Sequence, residues 1–157
     1  MIAKGDRYEG EWKDNAKEGR GVYTWKDGQQ YDGQYKDGKR HGKGDYKWPS
    51  GQRYEEDWKE NLREGNGVDT MPDGERYNGK WKNDKKHGKG VTTWSNGMKF
   101  EGEWKDGDRQ TNGRLVYPNG ACYEGHISDD LIISTRNSSN PTMQCNQTQW
   151  TYTYTYQ

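Results

Sequence analysis

The sequence has little of what an ordinary globular core is made from. Only 26% of its 157 residues are hydrophobic, it holds a single phenylalanine, and 32% of it is charged. No apolar run approaches the ~20 residues of a transmembrane helix, so a helical membrane span is excluded. The formal net charge is zero, from 25 basic and 25 acidic side chains, which removes the electrostatic case for a nucleic-acid partner. The two cysteines, Cys122 and Cys145, form neither a CxxC pair nor a disulfide framework. A reducing, cytoplasmic compartment is therefore the default expectation. Asn137-Ser-Ser and Asn146-Gln-Thr fit the glycosylation pattern, but they sit in a polar stretch where such matches arise easily and no secretory signal accompanies them.

What is abundant is aromatic and glycine. Eight tryptophans and twelve tyrosines offer large buriable rings, and 22 glycines offer bare backbone. They are spaced with a 23-residue period: Tyr8, Tyr31, Tyr54, Tyr77, Phe100 and Tyr123 each open a unit. Counting that aromatic as place 1, place 5 is Trp12, Tyr35, Trp58, Trp81, Trp104 and Ile127. Place 14 is Gly21, Gly44, Gly67, Gly90 and Gly113, glycine in every complete unit. Place 3 is glycine except at Glu56, and place 18 is aromatic except at Met71. A fixed period of this length marks a repeat architecture.

Each unit reads as two short strands. Tyr8-Glu9-Gly10-Glu11-Trp12 and Gly21-Val22-Tyr23-Thr24-Trp25 both alternate ring or glycine with polar residues, a period of two. Between units stand Lys-Asp-Gly, Pro-Ser-Gly, Pro-Asp-Gly, Ser-Asn-Gly and Pro-Asn-Gly. That chemistry suits a three-residue hairpin loop, a type I turn closed by a left-handed glycine. The loop fixes a register in which Tyr23 faces Tyr31, Gly21 faces Gly33 and Gly19 faces Tyr35. Rings then alternate with glycine floors on one face of the sheet.

Two near-copies, Lys39-Arg-His-Gly-Lys-Gly44 and Lys85-Lys-His-Gly-Lys-Gly90, resemble the lysine and glycine content of a phosphate cradle. Their glycines fall at places 12 and 14 of the repeat, where a structural duty accounts for them. His41 and His87 lie two units apart, roughly 20 Å at about 4.8 Å per strand, so no metal site is expected to join them. No Ser/His/Asp or Cys/His grouping stands out, and no cofactor is implied.

Tyr-Glu-Gly-Glu-Trp, His-Gly-Lys-Gly and Pro-Asp-Gly at a 23-residue period resemble the MORN repeat family, over Lys4 to about Ile127. The resemblance implies an all-β, elongated single-layer solenoid of antiparallel hairpins. The expected domains are an array at 1–127 and a polar C-terminal tail at 128–157, read as an added edge strand or a partner-binding segment. Local distortion is expected around Glu56, and weaker packing at both ends.

The resemblance also implies a non-catalytic scaffold within a large cytoskeletal assembly, similar to radial-spoke-head components of the ciliary axoneme. A peripheral membrane adaptor on acidic phospholipids and a regulatory module of a multi-subunit enzyme are the alternatives. Place 10 is basic in every complete unit: Lys17, Arg40, Arg63, Lys86 and Arg109. Stacked, these form a candidate rail for an acidic protein or anionic lipid. The tail ends with Trp150, Tyr152, Tyr154 and Tyr156 on one face if extended, a candidate partner-binding strand.

Overall fold

Each 23-residue unit folds as a hairpin of one seven-residue and one nine-residue strand. The structure, a computed structural model, describes residues 2–136. The hairpins are β1 (Arg7–Lys13) with β2 (Ala16–Thr24), β3 (Gln30–Lys36) with β4 (Lys39–Lys47), and β5 (Arg53–Lys59) with β6 (Leu62–Thr70). They continue with β7 (Arg76–Lys82) and β8 (Lys85–Thr93), then β9 (Lys99–Lys105) and β10 (Asp108–Val116). A short β11 (Cys122–His126) and a helix α1 (Asp129–Arg136) follow. All eleven strands join one antiparallel sheet in sequence order.

Two turn chemistries alternate along the sheet. Between units, Gly28 N donates to Trp25 O and Trp25 N to Gln29 O, both at 2.9 Å. Gly28 has φ 88°, and the same turn recurs at Gly51, Gly74, Gly97 and Gly120. This is the expected loop, and the expected register follows: Tyr23 faces Tyr31, Gly21 faces Gly33 and Gly19 faces Tyr35. Within units the chain turns in two residues, both at positive φ, as in Asp14-Asn15 (48° and 63°) and Glu60-Asn61 (49° and 74°). That is the type I′ turn, whose twist matches the strands it joins.

A single-layer sheet acquires a core because its rings lie down. A Cβ added at Gly21 would stand 2.4 Å from the Tyr8 hydroxyl, and one at Gly44 would stand 2.3 Å from that of Tyr31. The place-1 ring therefore lies flat over bare backbone at places 3 and 14 of its own unit. Its hydroxyl then donates to the place-4 carbonyl: Tyr8 to Glu11, Tyr31 to Gln34, Tyr54 to Asp57 and Tyr77 to Lys80, at 2.9–3.0 Å.

Place-5 rings stand on edge between the flat rings of consecutive units. The series Trp12, Tyr8, Tyr35, Tyr31, Trp58, Tyr54, Trp81, Tyr77, Trp104, Phe100 is continuous. Its centroid spacings are 4.9–5.4 Å and its interplanar angles 73–88°. Such T-shaped pairs are worth about 0.5–1.5 kcal/mol each beyond their burial. Tyr31, Tyr54 and Phe100 are fully buried.

Place 12 does not serve as a ring floor. Gly19, Gly42, Gly65 and Gly88 have φ of 64–75° and form a bulge, where three residues of the second strand oppose one of the first. The place-4 side chain folds over that bulge, and Glu11, Gln34 and Asp57 accept the N–H of Arg20, Lys43 and Asn66. Left-handed backbone is what demands glycine there.

Glu56 takes the place-3 glycine position at φ 108°, which is the expected distortion. The register on either side of it is kept, with Glu56 facing Gly44 and Gly67.

The two ends differ. Among the described residues no earlier unit stands over Trp12, which is 48% exposed, as weaker end packing predicts. The C-terminal end is instead well packed. Ile127 takes the place-5 position fully buried, and Ile132 of α1 is buried with it. The start of the polar tail is thus a helix, not an added strand. Ser128 Oγ caps it by accepting the Leu131 N–H, and Asp129 and Asp130 occupy its first turn. The remainder of the tail, including Trp150, Tyr152, Tyr154 and Tyr156, lies outside the described residues.

Candidate functional site

The place-10 side chains were expected as an exposed rail, and the structure puts them over the rings instead. Lys17 Nζ lies 4.3 Å from the Tyr23 ring centroid and 5.0 Å from that of Tyr35. Arg40 lies 4.5 Å from Trp58 and 5.0 Å from Tyr46, and Arg63 lies 4.3 Å from Trp81. Lys86 and Arg109 cover Tyr77 and Phe100 at 4.6 and 4.9 Å. All five are half-buried. The reason is register. Place 10 pairs with place 5 across the bulge, as Lys17 does with Trp12, so its side chain emerges on the ring face.

The cations also bind the next unit. Arg40 donates to Asn61 O at 2.9 Å, Arg63 to Asp84 O at 2.8 Å and Arg109 to Ile127 O at 2.9 Å. Arg109 further pairs with Asp129 of α1. Burial pulls the ammonium groups of Lys17 and Lys86 below the usual lysine range. Five residues that the sequence offered as a binding site are mainly a lid on the aromatic core.

Place 11 ties successive turns together. Glu18 accepts the Asp37 N–H and Glu64 the Asn83 N–H at 2.9 Å, and His87 Nδ1 accepts that of Asp106 at 3.4 Å. His41 and His87 stand on β4 and β8, four strands apart. Among the described residues, no three His, Cys, Asp or Glu side chains gather where a metal ion would fit. Cys122 is buried and disulfide-bonded, where spacing alone had given it no such bond, and its partner lies outside the described residues.

Among the described residues the ring face has two buried polar interruptions, Asp69 and Thr92, at place 16 of the third and fourth units. Place 16 is Tyr23 and Tyr46 in the first two units, and Asp69 in the third. Asp69 is buried. It accepts a hydrogen bond from Gln52 Nε2 at 2.9 Å and faces Arg63 at 3.9 Å. In the preceding units the same link joins Tyr23 to Asp6 and Tyr46 to Gln29. Met98 and Leu115 replace it further on with a buried apolar pair.

The opposite face is the exposed one, and it is charged in both signs. A shallow groove of about 860 Å³ crosses its first three units, lined by residues such as Glu11, Arg20, Asp32 and Lys43. Lys43 bridges Glu56 and Asp57 at 2.7 and 2.8 Å. Arg53 bridges Asp45 and Glu55, both at 2.8 Å. A second groove of about 470 Å³ crosses the last units, between residues such as Lys89, Glu103 and Arg114. Both grooves mix the two signs with acids in excess, six to three in the first and three to two in the second.

These hairpins, with their flat rings over glycine and G1-bulge turns, carry a family signature. The family model of the MORN repeat matches residues 8–30, 31–53, 57–76, 77–99 and 100–122. The chain belongs to the MORN repeat family. MORN repeats are in general non-catalytic and mediate protein or lipid interactions. In the third MORN unit the match begins at residue 57, just past Glu56. Tyr54 is nonetheless buried over Gly67 like its counterparts.

No curated protein matches the chain. Among solved structures it is similar to the TCP domain of SAS-4 (dCPAP) of Drosophila melanogaster, in complex with a proline-rich motif of Ana2 (dSTIL). That likeness has 13% identity, a TM-score of 0.39, and covers 78% of this chain and 79% of that one. Among the described residues, no helix is long and apolar enough to cross a membrane.

Proposed function

We propose that this chain is a non-catalytic scaffold, a rigid MORN array that holds protein partners on its polar face. The observation that supports it is the division of labour between the two faces. Rings and cations are consumed inside the array, while the exposed face presents mixed acid and base pairs with acids in excess along its grooves. A surface of mixed sign suits a protein partner with its own mixed charges. An acidic lipid surface rewards clustered basic residues, and the five place-10 cations are turned toward rings and carbonyls. The assembly we infer is cytoskeletal, with the ciliary axoneme as the setting carried over from the family resemblance. The alternative location is the cytoplasmic face of a membrane.

Two measurements test this reading. Vesicles of phosphatidylcholine with and without phosphatidylserine are sedimented with the chain at low salt, and the expected result is no anionic-lipid-dependent binding. Salt-sensitive binding lost on changing Lys17, Arg40, Arg63, Lys86 and Arg109 to Ser, with the fold retained, would favour the adaptor instead. In detergent-extracted cilia the chain is expected to remain with the axoneme. Recovery in the detergent-soluble fraction would refute the axonemal setting.

A further inference from the structure

The polar face changes character along the edge formed by the within-unit turns. Place 6 is Lys13, Lys36, Lys59, Lys82 and Lys105, a lysine in every complete unit, and all five are exposed. Each follows a place-5 residue of the ring face, so its side chain emerges on the opposite, polar side. Across the turn, place 6 pairs with place 9: Lys36 with Lys39, Lys59 with Leu62, and Lys82 with Lys85. Residues paired in this way share a face. The middle three units therefore set five lysines around one leucine, in a strip that crosses β3 to β8. Leu62 is 37% exposed.

Nothing inside the array uses these lysines. Lys39 reaches Glu60 at 3.6 Å in an exposed pair. Among the described residues, Lys36, Lys59, Lys82 and Lys85 make no side-chain hydrogen bond or ion pair. Like charges set directly opposite each other, as at Lys36–Lys39 and Lys82–Lys85, weaken a hairpin. The place-10 cations repay their position by covering rings; the place-6 and place-9 lysines do not.

We propose that this strip docks an α-helix of a protein partner, one that carries carboxylates at heptad spacing around a single apolar residue. The proposal rests on the scaffold function above and assigns the docking of a protein partner to one edge of the polar face.

Spacing selects the helix. Successive strands lie about 4.8 Å apart, so Lys36, Lys39, Lys59, Leu62, Lys82 and Lys85 fall at roughly 0, 5, 10, 14, 19 and 24 Å along the strip. A helix rising 1.5 Å per residue places i, i+3, i+7, i+10, i+14 and i+17 at about 0, 4.5, 10.5, 15, 21 and 25.5 Å, all on one side. The two series stay within ~2 Å of each other, less than a lysine side chain can absorb. An extended peptide covers the ~10 Å unit step in three residues, and residues three apart in a strand point to opposite sides.

Sign selects its chemistry. Carboxylates at five of those six positions would meet the five lysines, and an apolar side chain at i+10 would meet Leu62. An apolar contact ringed by charge pairs that exclude water is the usual form of an interface centre. A continuous layer of anionic headgroups fits less well, because the exposed turn acids Asp37 and Glu60 stand between the lysines. A helix presents its carboxylates singly and can pass between them.

Fluorescence anisotropy of the full chain with a labelled synthetic helix tests the site. The probe is an alanine- and glutamine-based peptide of about 25 residues, long enough to be helical, with Glu at i, i+3, i+7, i+14 and i+17 and Leu at i+10. A control peptide of the same composition has its glutamates moved off that side. At low salt the probe should bind at least about tenfold more tightly than the control, a difference of roughly 1.4 kcal/mol, and the binding should fall as salt is raised. Lys59→Gln combined with Lys82→Gln should weaken it about tenfold, and Leu62→Ser severalfold, with unchanged melting temperatures. Equal affinity for probe and control, no binding of either, or binding untouched by the lysine changes overturns the proposal. A lower melting temperature in the lysine variant also overturns it, because those side chains would then be serving the fold. Sedimentation with phosphatidylserine vesicles that the same lysine changes abolish would assign the strip to a membrane and overturn it likewise. Failure of the probe while the native chain stays with the axoneme sinks this site alone. Binding of the probe while the native chain is recovered in the detergent-soluble fraction supports the site and sinks only the axonemal setting.

Discussion

Replacing Gly67 with alanine isolates the feature on which the whole array depends. A Cβ at that position would lie 2.1 Å from the Tyr54 hydroxyl and 2.5 Å from the ring carbons behind it. The ring is fully buried and donates to Asp57 O at 3.0 Å, so it has to lift and give up that bond. Overpacking costs about 1–3 kcal/mol, and the lost hydrogen bond about 1 kcal/mol. Restricting the unfolded chain offsets about 0.5 kcal/mol. The expected net destabilisation is about 2–3 kcal/mol. Guanidinium unfolding followed by circular dichroism measures it.

A second substitution makes the test specific. Tyr54→Leu removes the outer ring atoms that the new methyl would strike, so Gly67→Ala should then be neutral or mildly stabilising. The coupling between the two changes should be about 2 kcal/mol. If the two effects simply add to within ~0.5 kcal/mol, as independent sites do, the flat-ring-on-glycine account is wrong.

Arg40→Ala should lower stability by about 2–3 kcal/mol, since the guanidinium covers Trp58 and holds Asn61 O; a loss below ~0.5 kcal/mol in the same unfolding assay would restore place 10 to the surface. Glu56→Gly should raise the melting temperature by a few degrees, because relief of a φ of 108° is worth about 1 kcal/mol or more and the exposed Lys43 pair contributes less. Calorimetry reading a lower melting temperature would show that Glu56 is not strained. Burial, with the Asp6 carboxylate beside it, pushes the Tyr23 hydroxyl up to about 12, and burial also raises Tyr31, Tyr54 and Tyr77. The folded protein therefore holds these protons longer than the unfolded chain. Stability is complete below about pH 10 and should fall above it, by about 1.4 kcal/mol per pH unit for each such tyrosine. Absorbance at 295 nm should show their ionisation coinciding with unfolding; stepwise ionisation of a folded protein near pH 10 would contradict their burial.

The sequence alone determined the period, the strands, the between-unit turns and their register. Each of these is local: a ring alternating with charge, or Asp-Gly and Asn-Gly at the end of a strand, constrains only the few residues around it. Gly21, Gly44, Gly67, Gly90 and Gly113 were legible as floors for the same reason, because the turn fixes which residue faces them. The fate of place 10 was not legible. Lys17, Arg40, Arg63, Lys86 and Arg109 follow a turn in the sequence and look solvated, until a three-against-one bulge rotates the strand and sets them opposite place 5. The bulge glycines Gly19, Gly42, Gly65 and Gly88 were misread with them, since a left-handed residue and a bare floor leave the same letter. The asymmetric ends were decided later still. Nothing within one unit says whether its rings will be covered, because a repeat buries its face only against a neighbour. Ile127 finds α1, and Trp12 stands open.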